Sequence, residues 1–302
     1  MLDKFGYLLK AAKQGSNYTL QPSPAAYVGP GRPLGFHFDA AGNLIIADAP
    51  KGLTMLEAGT GRLVVLANRA SENSALAPGT PISYANDLDI AGDGRVFFSD
   101  SGAIPPALNR GGWYDTMRSY MLIMWQGGAT GRLLVFDSTT AEAHVLAQGI
   151  WYANGVAVSP DGSFVAVVET SSMRVRRHWL QGPKAGTTDT LLEGLPGFPD
   201  GISRSSDGNF WLALISPNLP IAQKLLPHKV LRWLVAWLPQ ALLPPLPQWG
   251  MVVKVSPAGE VLQTLMDPTG SLISHVSAVT EHQGQLFLGN LAKDYVSVLQ
   301  LE

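Results

Sequence analysis

Five glycines, Gly42, Gly94, Gly162, Gly208 and Gly284, each sit in a turn between two short apolar runs, and this recurrence limits the fold more than any other feature. The copies are Leu34 to Ala47, Asn86 to Ser99, Asn154 to Val167, Asp200 to Leu214 and Val276 to Gly289. Each is an alternating strand, a turn and a second apolar strand. Outer strands are expected at Leu53–Glu57 and Arg62–Leu66, Gly131–Asp137 and Ala143–Leu146, Arg174–Leu180, Met251–Val255 and Val261–Leu265, and Tyr295–Leu299. Short strands joined by tight turns and repeated around an axis describe a β-propeller. A parallel α/β fold would instead place helical patterns of about 10 to 15 residues between strands. The reading is therefore all-β, a single propeller domain over residues 1–302 with five clear blades. Residues 1–33 are expected to supply a missing strand or a reduced extra blade, starting in a short helix and passing into a Pro/Ser loop at Gln21–Pro24.

Composition removes several classes of function. With 15% charged residues and a formal net charge of -2, the chain lacks the basic face that neutralises nucleic-acid phosphates. It has no cysteine, so disulfides, thiolate metal sites and cysteine nucleophiles are excluded. Lys4, Lys10 and Lys13 interrupt the N-terminal apolar residues, unlike a secretory signal. Val230–Leu238 is broken by Arg232, stopped by Pro239 and much shorter than the roughly 20 residues of a membrane span. The expectation is a cytoplasmic protein or one peripheral to a membrane.

Two insertions, at about 101–130 and 216–249, leave the strands on the side where loops build sites. In the second, Val230, Trp233, Leu234 and Trp237 have helical i, i+3, i+4, i+7 spacing, and Leu231, Val235 and Leu238 widen the stripe. Two packings are open: a helix lying against the propeller or the other insertion, or a lid whose segment 225–246 touches lipid or an apolar substrate.

Stepping eight residues back from each turn glycine lands on Leu34, Asn86, Asn154, Asp200 and Val276. These are equivalent positions on inner strands, which line the central channel of a propeller. Two amide oxygens and one carboxylate there suit a hard cation such as Ca2+, or another divalent ion of that kind. Zinc is disfavoured, because no histidine or cysteine shares the phase. Asn-Asp, Asn-Gly and Asp-Gly are also ordinary turn pairs.

The motifs Tyr84-Ala-Asn86-Asp-Leu-Asp, Trp151-Tyr-Ala-Asn154-Gly-Val-Ala-Val-Ser-Pro-Asp-Gly and Gly197-Phe-Pro-Asp200-Gly-Ile resemble the strictosidine synthase-like family. So do Gly31-Arg-Pro-Leu-Gly35, Ala47-Asp48-Ala with Lys51-Gly-Leu53, and Phe98-Ser-Asp100-Ser. That family is similar in turn to the gluconolactonase (senescence marker protein) and paraoxonase groups. The resemblance implies a six-bladed propeller, here with a reduced first blade, and a channel calcium held by Asn86, Asn154 and Asp200. It also implies hydrolysis of lactones or aryl esters. Two departures stand out. The family's Gly-Pro-Glu glutamate is missing from Tyr27-Val-Gly-Pro30-Gly. The plant synthases' catalytic glutamate, two residues after a histidine, is replaced in His275-Val-Ser277 by serine.

The hydrolase reading has a cation polarising an ester or lactone carbonyl, with Asp200 or His275 relaying the proton. A buried, satisfied histidine is the other reading of His275. His37, Tyr84, Trp151 and Phe198, with Tyr152, are candidates for the wall that receives a small hydrophobic substrate, although strand-end aromatics often belong to a core. Asp48, Asp100 and Glu169 close second strands and are expected to cap turns, and Asp87 and Asp89 to face different neighbours. Ser277 lacks the Gly-x-Ser-x-Gly elbow of a nucleophile. A non-catalytic propeller with a structural metal is a second reading. Amine–aldehyde condensation is disfavoured, because it needs a carboxylate where Ser277 stands.

Overall fold

The five repeats fold as five antiparallel sheets, each ordered from the inner strand outward. In this computed structural model, which describes all residues except 1, 2, 4, 15, 16, 219–223, 226, 239–241, 243, 244 and 302, the first blade comprises 33–38, 44–48, 52–56 and 63–67. The second has strands 85–90, 96–100, 131–137 and 142–150, and the third 153–158, 164–169, 174–179 and 188–192. The fourth has 197–204, 210–217, 250–255 and 261–267, and the fifth has three strands, 276–282, 285–290 and 296–300. The inner strands neighbour one another in chain order, first to fifth. The first-to-second turn in each blade is tight enough to force a left-handed residue, and Gly94 (φ 87) and Gly208 (φ 84) supply it at no steric cost.

The second strands of the first three blades, 44–48, 96–100 and 164–169, are buried along their whole length, because both faces pack on neighbouring blades. This explains their continuous apolar runs. The core is a set of inter-blade layers: Phe98, Leu134 and Phe136 meet Ile45, Ala47 and Leu53 between the first two blades. Phe210, Leu212 and Leu214 meet Ala166, Val168 and Val175 between the third and fourth.

Among the described N-terminal residues the expected helix is not formed. Tyr7–Leu8 pairs with Ala26–Tyr27, and Ala11–Gln14 with Asn17–Leu20, as two steps of one antiparallel hairpin. Leu8, Ala26 and Val28 pack on Leu44, Ile46 and Leu56 of the first blade. At the other side Tyr18 stacks edge-on against Phe287 of the fifth blade and donates to Gln285 at 3.2 Å. The hairpin therefore spans the gap between last and first blades. Where the resemblance implies six blades, the described residues form five, with this hairpin in place of the reduced one.

The first insertion contains helix α1 (Thr116–Gln126), whose N-terminus is capped by Asp115 accepting from the Arg118 N–H at 2.9 Å and which ends at left-handed Gly127. The second contains helix α2 (Lys229–Trp237), at the predicted stripe. Arg118 donates to the Ala236 carbonyl at 2.8 Å, so the two insertions pack on each other, as one of the two expected arrangements required.

Candidate functional site at the channel mouth

Each of the first four inner strands carries a β-bulge at its axial residue. Leu34 and Gly35 together oppose one residue of the second strand, as do Asn86 and Asp87, Asn154 and Gly155, and Asp200 and Gly201. A bulge bends the strand and re-aims a side chain. Here it turns the axial residue away from its sheet at the same level in four consecutive blades. Gly155 and Gly201 belong to these bulges and not to turns. A Cβ on Gly155 would lie 2.5 Å from the Asp200 carbonyl oxygen, and one on Gly201 would lie 2.8 Å from that of Ser277. Inner strands of adjacent blades approach closely at this level, which is why glycine follows the axial residue in three of these four blades, at Gly35, Gly155 and Gly201, while Asp87 follows Asn86.

The expected metal set is partly assembled in direct contact. Asn154 donates through Nδ2 to Asp200 Oδ1 and, at 3.1 Å, to the Thr170 hydroxyl. Asn86 donates through Nδ2 to Ser101 Oγ at 2.9 Å, and Ser101 in turn donates to the Ala153 carbonyl, next to Asn154, at 2.7 Å. Ser101 and Thr170 were not singled out from sequence. The available signal is their place directly after Asp100 and Glu169, the acids that close second strands. Among the described residues, neither amide oxygen, Oδ1 of Asn86 nor Oδ1 of Asn154, accepts a hydrogen bond.

Burial pushes the Asp200 carboxyl up to about 8, with the nearby Asp87 charge adding to the effect and the Asn154 hydrogen bond opposing it. No lysine or arginine among the described residues offsets it. Asp87 is itself pushed up to about 7, again mainly by burial, although it accepts from the Val156 N–H at 2.9 Å. Among the described residues no three His, Asp or Glu side chains gather to hold a metal, but one carboxylate, Asp200, and two amide oxygens without a hydrogen-bond partner, those of Asn86 and Asn154, are hard donors of the kind a calcium-type cation accepts.

Asp87 and Asp89 face the same neighbour, contrary to expectation. Their carboxylates accept from Val156 and Val158 N–H, both at 2.9 Å, because residues two apart on a strand point the same way. Asp48, Asp100 and Glu169 act as expected: each accepts the backbone N–H of a residue leading into the inner strand, at Arg32, Tyr84 and Trp151. Lys51, Arg132 and Arg174 pair with the same three acids.

A tyrosine cluster lies near the site. The Tyr152 hydroxyl donates to the Tyr84 hydroxyl at 2.8 Å, which donates to the Thr116 carbonyl at 3.2 Å. Tyr120 of α1 packs edge-on against Tyr152, with ring centroids 4.7 Å apart. Burial raises all three phenol pKa values, and the nearby Asp200 charge raises each further. Leu34, Trp151 and Ile123 complete this layer. Trp151 is half-buried, and its indole N–H is buried without a partner. Tyr120 escaped sequence reading because it arrives on an insertion outside the repeat.

The other expected residues are more dispersed. Phe198 is half-buried, paired with Ser216 in its sheet. His37 lies three residues past Leu34, beside Asp89 and Arg204, in a different layer from the tyrosines. It is open to channel water but ringed by protein, and desolvation lowers its pKa. His275 is buried in a left-handed conformation (φ 51), its Nε2 3.5 Å from the Leu246 carbonyl and its Nδ1 without a partner. No hydrogen bond among the described residues joins it to Asn154 or Asp200.

The family model described as strictosidine synthase matches residues 86–183, which contain Asn86 and Asn154. Strictosidine synthase-like 10 of Arabidopsis thaliana is 36% identical over 279 residues, covering 90% of this chain and 70% of the relative. The chain belongs to the strictosidine synthase-like family. Another relative, the adipocyte plasma membrane-associated protein of Salmo salar, is 33% identical over 280 residues, or 90% of this chain. This strictosidine synthase-like chain spans 64% of the salmon protein's length. Among solved structures, a gluconolactonase of Xanthomonas campestris superposes with a TM-score of 0.58 at 16% identity, covering 89% of this chain and 72% of its own. Regucalcin of Agrobacterium tumefaciens, described as a calcium-binding protein, superposes with a TM-score of 0.52 at 13% identity, covering 90% and 70%. These two likenesses concern the propeller fold alone.

Proposed function

We propose that this strictosidine synthase-like chain hydrolyses lactones or aryl esters with hydrophobic substituents, using a divalent cation, calcium by preference, held by Asn86, Asn154 and Asp200. The observation that carries the reading is the half-buried Asp200 carboxyl, in contact with Asn154, with no lysine or arginine partner among the described residues and with three tyrosines close enough to feel its charge. The gluconolactonase and calcium-binding descriptions of its fold neighbours point the same way. A cation bound there supplies Lewis-acid polarisation of the carbonyl and charge for the developing oxyanion.

The chain's own groups do the remaining work. Ser101 and Thr170 hold the amide planes of Asn86 and Asn154 and leave their oxygens available. Asp200, whose Oδ1 meets Asn154, would sit beside both cation and carbonyl, where its carboxylate can accept a proton from water and return it to the leaving oxygen. The tyrosine layer excludes water and favours apolar substituents. Asp200 is a better proton relay than His275, whose ring is directed to Leu246 in the second insertion.

Turnover of aryl esters and lactones with added calcium and after chelation tests the reading. Loss of turnover on chelation is expected. Equal turnover after calcium removal, or none with calcium present, overturns it.

A second reading, a propeller with a purely structural ion that binds a small molecule or a partner protein, is favoured by the packing of Tyr120 against Tyr152 close to Asp200. Asp200→Ala separates the two: lost activity with an intact melting transition supports catalysis, and unfolding supports a structural ion. Condensation of an amine with an aldehyde finds no carboxylate at Ser277 to move its protons.

A further inference from the structure

Helix α2 is amphipathic in the wrong sense for a helix that only packs on its own protein. The side turned toward the molecule carries Arg232, Val235 and Ala236, all half-buried. Arg232 lies over Gly127 at the end of α1, and the Ala236 carbonyl accepts from Arg118. The side turned outward carries Val230, Leu231, Trp233, Leu234, Trp237 and Leu238, every one exposed, with Trp237 at 71% and Val230 at 69%. Soluble helices do the opposite and bury the apolar stripe. Leu242 and Leu246, further along the same insertion, are exposed as well. A contiguous apolar patch of this kind marks an interaction site.

Charge narrows the choice of occupant. From Gly208 to Gly250 the chain has no aspartate or glutamate, but it contains Lys224, Lys229 and Arg232, with His228 at the helix N-cap. Lys224, His228 and Lys229 are exposed beside the apolar face. The patch thus combines aliphatic side chains, two tryptophans whose rings pack edge to edge at 6.1 Å, and one sign of charge at its border. Tryptophan prefers the boundary between headgroups and acyl chains, and exposed lysines favour anionic lipid. No helix among the described residues is long and apolar enough to cross a membrane, so contact through α2 would be in the plane of the interface.

We propose that the outward face of α2, through Val230, Trp233, Leu234 and Trp237, docks onto the surface of an anionic lipid bilayer. Through Arg118 and the packing of α1 on α2, this surface is joined to the layer containing Tyr120, near Asp200. The lipid contact itself does not depend on the proposed hydrolysis, and its test uses no turnover.

Flotation of the 302-residue chain with phosphatidylcholine vesicles, with or without an equal part of phosphatidylserine, tests the proposal. The chain is expected to float with the mixed vesicles, at least tenfold more than with phosphatidylcholine alone. Trp233→Ser/Trp237→Ser is expected to lose this partitioning by tenfold or more while keeping its thermal transition, since both side chains are exposed. Lys224→Glu/Lys229→Glu is expected to lose the preference for phosphatidylserine. Wild-type chain that stays unbound overturns the proposal, as does undiminished flotation of the tryptophan variant. Light scattering that shows a dimer broken by the tryptophan substitutions, with no lipid binding, would assign the face to a second copy and overturn it too.

Discussion

Arg204 of the fourth blade reaches past the third blade and donates to the Asp89 carboxylate of the second at 2.9 Å. The same carboxylate accepts from Val158 N–H, so one buried acid ties three consecutive blades together. Arg204 is partly exposed, and solvent screens its side of the pair. Arg204→Met is therefore expected to cost only about 1 kcal/mol. Asp89→Ala strands the Val158 donor as well and is expected to cost about 2–4 kcal/mol. Urea denaturation of both variants checks this ranking, and equal losses would contradict it.

The raised pKa of Asp200 has a consequence for stability. Its folded value is about 8, against roughly 3.9 for an unperturbed aspartate. Between these values the folded chain holds a proton that the unfolded chain has released, so cation-free stability falls as pH rises through that window. Asp200→Asn removes this contribution and is expected to flatten the decline of the melting temperature between about pH 5 and pH 8 in chelator. A residual slope from Asp87, raised to about 7, is expected to remain. Calcium should raise the melting temperature of the wild type most at the alkaline end and leave Asp200→Asn nearly unmoved. Identical pH slopes for the two proteins would remove the uncompensated carboxyl from the account.

Ser101 and Thr170 act through the asparagines they hold. Groups that orient metal ligands are typically worth 10- to 100-fold in affinity, so Ser101→Ala and Thr170→Val are each expected to weaken calcium binding by about tenfold or more. Calorimetric titration reads this directly. Unchanged affinity in both would mean that the amides are not ligands.

The close approach of inner strands predicts a steep cost at one glycine. Gly155→Ala places a methyl 2.5 Å from the Asp200 carbonyl oxygen, in backbone that cannot give way without moving the fourth blade. Overpacking of this kind costs about 1–3 kcal/mol, and it should weaken calcium binding as well by displacing Asp200. Gly92→Ala, where nothing lies within 4 Å and φ is not positive, is the control and is expected to be near neutral. Denaturation midpoints for the pair decide the matter.

Much of the propeller is legible in the chain alone. The turn glycines recur because a tight strand connection needs a left-handed residue, and the alternating runs around them recur because each blade repeats one packing problem. The helix of the second insertion follows from its spacing, and the axial phase of Asn86, Asn154 and Asp200 follows from counting back from the glycines. The outer strand 188–192 was not legible, because its half-exposed Thr188, Asp189 and Thr190 carry no apolar alternation. The N-terminal hairpin was equally hidden: its strand pairing and its packing on Leu44 and Phe287 depend on residues far away in the chain.

Local order, set by turn chemistry and side-chain alternation, was determined by the sequence itself: five blades, their phase, and three oxygen-bearing side chains in register. Only the tertiary structure decided what those side chains meet. The bulges that swing Asn154 onto Asp200, the backbone contact that demands Gly155, the hydroxyls of Ser101 and Thr170, and the approach of Tyr120 to the site all arise between blades and insertions. Such contacts depend on how separate elements come together, and a one-dimensional pattern does not encode distances between them.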